Sequence, residues 1–233
     1  MRKRNIMGYM IEGIKAVAFD IDGTLYADWR LFIRLPAYFF KNFRFFLRFN
    51  AVRKQMHRTA PLADFFEYQA RLLAEKLHCT AEEARTKITD ICYEGLKPYF
   101  TKIKTYPDVY GTIFAIKNAG FKVALLSDFP PEQKGRVWGI RSLCDVCIGS
   151  EESGALKPSK YPFGILARKL GVKESEILYV GNSIKYDVRG ANNAGLKSAY
   201  LMKGFRALFN IPLKEADVSF KSYKQLRKIL LDR

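Results

Sequence analysis

The stretch Ala16–Thr24 reads AVAFDIDGT and is the most informative part of the sequence. Its first four residues, Ala16–Phe19, are apolar, which is typical of a buried strand in a parallel sheet, and Asp20 ends that strand. Asp22 follows two positions later, and Gly23 permits the tight turn that would bring both carboxylates to one site. Two neighbouring carboxylates can divide their work, one staying ionised while the other carries a proton.

Further strands and helices alternate along the rest of the chain. Three more apolar runs resemble buried strands: Val123–Leu126, Ile177–Val180 and Ser198–Leu201, with a shorter one at Cys144–Ile148. Helical patterns lie between them at Val109–Asn118, Tyr161–Leu170 and Val188–Ala194, each followed closely by glycine. The alternation predicts a doubly wound parallel sheet, a Rossmann-like α/β core. Ligands bind beyond the carboxyl ends of such strands, so Asp20, Ser127 and Asn182 are expected to meet in one crevice.

The segment between the first two strands has a different pattern. It predicts helices over about Pro36–His57, Pro61–Leu77 and Thr80–Leu96. Thr80 and Glu83 fit a capping box, in which each side chain accepts from the other residue's backbone N–H. The sequence therefore predicts an α/β core of residues 1–25 and 101–233, with an inserted α-helical cap domain of residues 26–100.

The amino-acid composition indicates the class of binding partner but does not identify a single one. The 233 residues include 40 Lys and Arg against 23 Asp and Glu, a net charge of +17, and 48% are hydrophobic, which is enough for a packed core. Such a charge favours phosphates, whether in nucleic acid, anionic lipid or a phosphorylated metabolite. Four scattered cysteines, the lack of an export signal and the lack of a long apolar run predict a reduced, cytoplasmic protein without a transmembrane segment.

Four motifs stand in an order that points to a family. They are Asp20–Thr24, Ser127 within Leu125–Asp128, Lys157–Pro158, and Gly181–Ser183 followed by Asp187–Ala191. In order, strand context and glycine pattern, this set resembles the haloacid dehalogenase-like hydrolases, in particular the phosphatases with a helical cap between the first two motifs. The resemblance covers about residues 20–28 and 105–200, and says little about the helical segment.

The resemblance implies a role for each motif residue. Asp20 would be the nucleophile that forms an aspartyl phosphate, and Asp22 would protonate the leaving oxygen and then activate water. Lys157 would neutralise the phosphoryl group and keep Asp20 ionised. The catalytic residues implied are Asp20, Asp22 and Lys157; the substrate-binding residues are Thr24, Ser127, Asp128 and Lys157.

The resemblance also implies a magnesium ion. Its implied ligands are Asp20, the backbone carbonyl of Asp22, Asn182 and Asp187. The family usually has a carboxylate where this chain has Asn182. An amide oxygen can bind magnesium but brings no negative charge, so we expect weaker binding or an altered metal preference.

The start of the helical segment is basic and aromatic. Trp29–Ala63 contains eight basic residues and no acidic one. Phenylalanines recur at helical spacing (Phe32, Phe39, Phe43, Phe46), and basic residues recur roughly opposite them (Arg34, Lys41, Arg48). This pattern predicts a cap helix whose aromatic side chains are packed and whose charges are solvated. The segment could instead contact an anionic membrane, a partner or a polyanionic substrate.

The sequence thus predicts a magnesium-dependent phosphatase acting on a small phosphomonoester through an aspartyl phosphate. Two alternatives stay open. One is a phosphosugar mutase of the same fold. The other is a non-catalytic protein that binds nucleic acid or a membrane surface on a degenerate phosphatase core, which the +17 charge and Asn182 suggest.

Overall fold

Six parallel strands form the central sheet of the computed structural model, which describes residues 12–232. The strands are β1 Ala16–Phe19, β2 Lys122–Ser127, β3 Val146–Gly149, β4 Ile177–Gly181, β5 Lys197–Leu201 and β6 Val218–Phe220. Their order across the sheet is β3-β2-β1-β4-β5-β6, and every neighbouring pair is parallel. The predicted doubly wound sheet is confirmed. Its strand order reverses between β1 and β4, where such sheets form their binding crevice.

Helices cover both faces of this sheet. The α-helices of the described chain are α1 Asp28–Phe32, α2 Pro36–Lys41, α3 Phe43–Met56, α4 Phe65–Leu77, α5 Ala81–Lys87, α6 Lys97–Phe100, α7 Val109–Asn118, α8 Lys160–Leu170, α9 Arg189–Asn193, α10 Gly204–Leu208 and α11 Tyr223–Leu231. Val17 and Phe19 face a buried cluster shared with α7 and α11. Ala16 and Ala18 face a second cluster shared with α8 and α9. Strand alternation thus builds one core on each face.

The predicted strands match closely, and the differences have local causes. The run Cys144–Ile148 forms a strand that starts two residues later, at Val146. The three-residue strand β6 was not predicted, because a segment so short leaves almost no periodicity to detect. The helix expected over Val188–Ala194 is the short α9, which follows a π-helical turn at Ile184–Val188.

The segment between β1 and β2 is helical, as expected. One predicted helix divides at Asn42 into α2 and α3, because Asn42 leaves the helical conformation (φ −112°, ψ 20°). The next helix begins at Phe65 rather than Pro61, since the Asp64 carboxylate caps it by accepting from the Glu67 N–H. The capping box of Thr80 and Glu83 is confirmed. The domain boundaries themselves stay a prediction.

The predicted packing of the aromatic residues in this segment is wrong in part. Phe32, Phe39 and Phe43 are exposed, and so are Arg34, Lys41 and Arg48, so these aromatic and basic residues do not divide into a packed and a solvated set. The buried aromatic residues of α3 are Phe45, Phe46 and Phe49. They pack with α4 and α5, and that contact rather than the Phe32–Phe43 spacing sets the buried face of α3. Among residues 12–232, no helix has the length and apolarity needed to cross a bilayer.

Candidate active site

The carboxyl ends of β1, β2 and β4 bring the motif residues together. Asp20 directly follows β1, Ser127 ends β2, and Asn182 directly follows β4. The turn after β1 depends on Gly23, which has a φ of +77°. A Cβ atom there would lie 2.6 Å from an Asp28 carboxylate oxygen, so both the conformation and the space require glycine.

The Asp20 carboxylate is buried and accepts two strong hydrogen bonds. The Lys157 ammonium donates to Oδ1 at 2.7 Å, and the Thr24 hydroxyl donates to Oδ2 at 2.7 Å. Burial raises the pKa of Asp20 to about 7, despite the Lys157 ammonium, which lowers it, while Asp187 and Asp22 add to the rise. A carboxylate held on both oxygens has a fixed orientation, as an attacking group requires.

Lys157 lies between two carboxylates. Its buried ammonium contacts Asp20 Oδ1 at 2.7 Å, Asp187 Oδ1 at 2.8 Å and the Tyr179 hydroxyl at 3.1 Å. Burial lowers the pKa of Lys157, but the charges of Asp187 and Asp20 outweigh that effect and hold this pKa well above its ordinary value. The lysine therefore remains a cation at the strand ends.

Asp187 uses both carboxylate oxygens inside the protein. Oδ1 accepts from Lys157, and Oδ2 accepts from the backbone N–H groups of Asn182 at 3.1 Å and Ser183 at 2.8 Å. The π-helical turn Ile184–Val188 places the residue there. Asp187 thus anchors Lys157 directly, whereas a role as metal ligand stays a prediction.

Asp22 lies across from Lys157, with different partners. Its Oδ1 accepts from the Tyr26 hydroxyl at 2.6 Å, and its Oδ2 accepts from Ser127 Oγ at 3.2 Å and lies 3.0 Å from the Lys134 ammonium. Desolvation raises the pKa of Asp22, but Lys134 and the hydrogen bonds outweigh it and lower this pKa. The two carboxylates of the first motif therefore have opposite pKa shifts.

Lys134 is a site residue that the sequence did not reveal. It lies in a 3-10 turn, Pro131–Lys134, after β2, and its side chain is fully buried. The ammonium packs over the rings of Phe100 and Phe129 and donates to the adjacent Gln133 side chain at 2.7 Å. No spacing rule marks such a turn, so only the fold could reveal this lysine.

Thr24 and Asn182 lie side by side behind Asp20. The orientation of the Asn182 amide follows from its partners, because Thr24 Oγ1 already donates to Asp20 and the Lys203 ammonium can only donate. Its nitrogen therefore donates to Thr24 Oγ1 at 2.8 Å and to the Asp22 carbonyl at 3.0 Å. The amide oxygen accepts from the Lys203 ammonium at 3.1 Å, and that ammonium also donates to the Gly23 carbonyl. Thr24 is fully buried and its hydroxyl orients Asp20, while its role in substrate binding stays a prediction.

Lys203 was not predicted, although a signal existed. It lies two residues beyond the end of a predicted strand, where polar residues converge. Its ammonium is 3.9 Å from the Asp28 carboxylate, and burial lowers its pKa. Tyr223 of α11 supports the same turn, because its hydroxyl donates to the Thr24 carbonyl at 2.8 Å.

Ser127 and Asp128, the other two predicted substrate-binding residues, differ in position. Ser127 is fully buried beside Asp22. The Asp128 carboxylate borders the pocket, and its Oδ1 accepts from Ser150 Oγ at 2.7 Å and from the Lys157 N–H at 3.1 Å. Asp128 therefore fixes the backbone of Lys157.

A pocket of about 300 Å³ opens above these groups. Its walls include Asp20, Asp22, Lys157, Asn182 and Asp187 from the core, and Leu31, Phe32, Leu96 and Phe100 from the helical segment. This volume is at the lower end of the range for small-molecule sites. The site therefore accommodates a small polar group against one apolar wall.

The helical segment also contacts the core beside this pocket. Arg53 of α3 forms a buried ion pair with Glu151, whose other oxygen accepts from the Tyr93 hydroxyl at 3.0 Å. His57 Nδ1 donates to the Lys157 carbonyl at 2.6 Å, and its ring stacks on Tyr186. His57 was assigned no role from the sequence, yet it touches the backbone that carries the site lysine.

The donor set around Asp20 fits magnesium, with one weakness. Magnesium prefers hard oxygen ligands and few protein groups. Thr24 Oγ1 connects two of the expected donors, since it donates to the Asp20 carboxylate and accepts from the Asn182 amide. The same amide also donates to the third expected donor, the Asp22 carbonyl. Rotation of the Asn182 amide would bring its oxygen to the side of the Asp22 carbonyl. Because that oxygen accepts from the Lys203 ammonium, magnesium and Lys203 would compete for it.

Sequence comparisons find relatives of this chain. A family profile described as haloacid dehalogenase-like hydrolase matches residues 14–195. A glyceraldehyde 3-phosphate phosphatase from Methanopyrus kandleri is 30% identical over 212 residues, or 82% of this chain and 85% of that protein. A phosphoglycolate phosphatase from Pasteurella multocida is 31% identical over 130 residues, 54% of this chain and 57% of that protein. A pyrophosphatase from Halalkalibacterium halodurans is 27% identical over 222 residues, which cover 93% of this chain and 97% of that protein.

The chain therefore belongs to the haloacid dehalogenase-like hydrolase family. Its relatives within that family are phosphatases, and it is an enzyme of this type. Solved structures share the fold at low identity. A phosphatase from Thermococcus onnurineus has a TM-score of 0.62 at 23% identity, covering 93% of this chain and 97% of that one. An L-2-haloacid dehalogenase from Xanthobacter autotrophicus has a TM-score of 0.62 at 20% identity, covering 93% and 98%.

Proposed function

We propose that this enzyme is a magnesium-dependent phosphatase that hydrolyses a small phosphomonoester through an aspartyl phosphate on Asp20. The observation that carries the proposal is the placement of Asp20 between Lys157 and Thr24, with Asp22 held separately by Tyr26, Ser127 and Lys134. One carboxylate is oriented for attack and the other for proton transfer. The phosphatase names of its relatives and the pocket of about 300 Å³ support a small phosphate ester.

In the first step a carboxylate oxygen of Asp20 attacks phosphorus, and the bond from phosphorus to the ester oxygen breaks. The leaving oxygen takes a proton from Asp22, which must bind one from solvent or substrate before this step because Lys134 and the hydrogen bonds lower the pKa of this carboxyl in the free enzyme. In the second step a water oxygen attacks the phosphorus of the aspartyl phosphate, Asp22 takes a proton from that water, and the bond to Asp20 breaks. Inorganic phosphate leaves, and both carboxyl groups return to their first state.

The remaining residues position these groups. Lys157 offsets the repulsion between an anionic nucleophile and an anionic substrate, and Asp187 and Asp128 hold Lys157 in place. Magnesium, when bound, would neutralise phosphoryl charge, held by the Asp20 carboxylate, the Asp22 carbonyl and Asn182. The helical segment 26–100 would act as the cap, because Leu31, Phe32, Leu96 and Phe100 complete the pocket wall.

The two alternative functions differ from a phosphatase in what can be measured or seen in the site. A phosphosugar mutase would return an isomerised phosphosugar rather than inorganic phosphate. A non-catalytic binder would need no oriented nucleophile, whereas Asp20 accepts two hydrogen bonds of 2.7 Å inside a buried charge network. A cytoplasmic location stays a prediction.

The direct test is release of inorganic phosphate from an aryl phosphate with magnesium present. We expect turnover by the wild-type enzyme, and a loss of at least about a thousandfold in Asp20→Asn, because an amide cannot form the acyl phosphate. Asp90→Asn, at an exposed aspartate of the helical segment, is the matched control and should retain full activity. An Asp20→Asn enzyme as active as the wild type would refute the mechanism. Activity only as phosphosugar isomerisation would favour the mutase.

A further inference from the structure

A group of large apolar side chains lies exposed on the helical segment. Phe40 is 82% exposed, Phe32 is 66% exposed, and Ile33 is 59% exposed. With their neighbours they form what is here named the aromatic–basic face, whose apolar members are Trp29, Phe32, Ile33, Phe39, Phe40, Phe43 and Leu47. Soluble monomers seldom expose so many large apolar side chains together, and such groups mark interaction sites.

Ring contacts join α2 to α3 within this face. The Phe39 ring contacts Phe43 at 6.0 Å between centroids and stacks on Phe46 at 5.1 Å. Phe46 is buried in the core of the helical segment. The exposed rings are therefore mounted on a packed base, which limits the conformational entropy that binding would remove.

Basic residues occupy the same side of the helices. In α3 the exposed pair Phe43 and Leu47 is adjacent to the exposed pair Arg44 and Arg48, each pair four residues apart and so on one face. Arg34 and Lys41, which follow the exposed Ile33 and Phe40 directly in the chain, are exposed as well. Trp29–Ala63 carries no acidic residue, so nothing within this segment offsets the charge. The face is complementary to an anionic surface.

The side-chain types distinguish between anionic partners. Nucleic acids are bound by basic residues together with rings that stack on bases. Exposed aliphatic side chains such as Ile33 and Leu47 cannot stack on bases, so they add no affinity for nucleic acid. Their insertion into the hydrocarbon of a bilayer is favourable. Phenylalanine, leucine and tryptophan beside arginine and lysine are typical of helices that lie in the headgroup region of a bilayer.

We propose that the aromatic–basic face docks this enzyme onto an anionic lipid bilayer. The helices would lie in the plane of the membrane surface, with the apolar side chains inserted and the basic side chains among the headgroups. Because the face needs neither the nucleophile nor a metal, this inference does not rest on the proposed function. An Asp20→Asn enzyme should bind membranes as the wild type does.

The position of the pocket is consistent with this orientation. Phe32 belongs both to the aromatic–basic face and to the pocket wall. A second exposed apolar group, Phe205, Leu208 and Phe209, starts just after Lys203, whose ammonium is 3.9 Å from the first residue of α1. Two apolar surfaces thus begin beside the same opening, so a docked enzyme would hold its pocket close to the membrane.

Vesicle sedimentation tests the proposal with the full chain. We expect binding to vesicles of phosphatidylcholine mixed with phosphatidylglycerol, little binding to phosphatidylcholine alone, and weakening as salt rises. Phe40→Ser with Phe43→Ser should reduce binding about tenfold or more, and so should Arg44→Glu with Arg48→Glu. Tyr110→Ser with Phe114→Ser removes two half-exposed rings from α7 and is the matched control, which should bind normally.

Fluorescence gives a second readout. In Trp138→Phe, Trp29 is the remaining tryptophan, and its emission should shift to the blue on anionic vesicles and be quenched by brominated lipid. The proposal is overturned if the Phe40/Phe43 variant, shown by its melting curve to be folded, binds vesicles like the wild type. It is equally overturned if the face binds nucleic acid but no vesicles, or if it proves to be buried in a dimer that binds no vesicles.

Discussion

The Lys203 ammonium lies 3.1 Å from the side-chain oxygen of Asn182, at the position where the family usually has a carboxylate. The Lys203 ammonium is therefore paired with the amide oxygen that is expected to help bind magnesium. The Gly23 carbonyl accepts from the same ammonium, so Lys203 is tied to the catalytic turn itself. Magnesium binding in this enzyme should depend on Lys203 as well as on Asp20, the Asp22 carbonyl and Asn182.

We predict that Asn182→Asp binds magnesium about tenfold more tightly, because a carboxylate adds the negative charge that the amide lacks. Lys203→Met should also tighten binding, by removing the competing ammonium, and the double variant should bind most tightly. Isothermal titration with magnesium measures this directly. Lys228→Met, at an exposed lysine of α11, is the control. Unchanged affinity in Asn182→Asp would contradict the assignment of Asn182 to the metal site.

The raised pKa of Asp20, about 7, predicts a pH dependence of phosphate release. Below that pH the carboxyl is protonated and cannot attack, so kcat/KM should fall about tenfold per pH unit on the acid side. Saturating magnesium should move the midpoint to lower pH, because the cation favours the ionised form. The measurement is kcat/KM between about pH 5 and pH 8 with limiting and saturating magnesium. A flat profile across that range would show that Asp20 stays ionised throughout.

Lys134 should act as a positioning residue for Asp22, because its ammonium lies 3.0 Å from Asp22 Oδ2 and lowers the pKa of this carboxyl, which suits the step in which Asp22 takes a proton from water. In Lys134→Met, the desolvation of Asp22 is opposed only by the hydrogen bonds from Tyr26 and Ser127, so the pKa of Asp22 should rise. We expect kcat to fall about ten- to a hundredfold, with a changed pH profile. Lys134→Arg keeps the charge and should recover part of the activity. If Lys134→Met lowered kcat without altering the pH profile, the lysine would have only a packing role.

The buried ion pair of Arg53 and Glu151 should hold the helical segment to the core. Arg53→Met leaves a buried, unpaired carboxylate, and the free energy of unfolding at neutral pH should fall by about 3–5 kcal/mol. The pKa of Glu151 is already raised by burial and would rise further. The loss should therefore shrink at acid pH, where Glu151 is protonated in both the folded and the unfolded state.

Urea denaturation at neutral and acid pH checks this. Adding Glu151→Gln to Arg53→Met should restore most of the stability, since the uncompensated charge is gone. Arg189→Met, which breaks the exposed pair with Glu215, should change the unfolding free energy little. If Arg53→Met unfolded at the wild-type urea concentration at neutral pH, the pair would not hold the segment.

The sequence predicted those parts of the site that follow from strand ends. Apolar runs mark the strands, and a parallel sheet forces their carboxyl ends to one edge, so the meeting of Asp20, Ser127 and Asn182 was predictable. Lys134 was not, because it reaches the site from a 3-10 turn that leaves no periodic signal. Lys203 follows a predicted strand but belongs to no motif.

The helical segment was predicted less well because its pattern supports more than one packing. Phe39 and Phe45 both lie at helical spacings from other phenylalanines, yet Phe45 is buried and Phe39 is partly exposed. Which face of α3 is buried depends on where α4 and α5 lie, and helical periodicity carries no such information. The break at Asn42 further changes the register between α2 and α3.

The hydrogen bond from Tyr223 to the Thr24 carbonyl connects the catalytic turn to α11, far along the chain from the four motifs. The family profile ends at residue 195, yet both Tyr223 and Lys203 lie beyond it and contact the turn that carries Asp22 and Gly23. Residues 14–195 supply the reacting groups, whereas Lys203 after β5 and Tyr223 of α11 support the turn that holds them. A change at the C-terminal edge of the sheet can thus reach the catalytic turn without altering any of the four motifs.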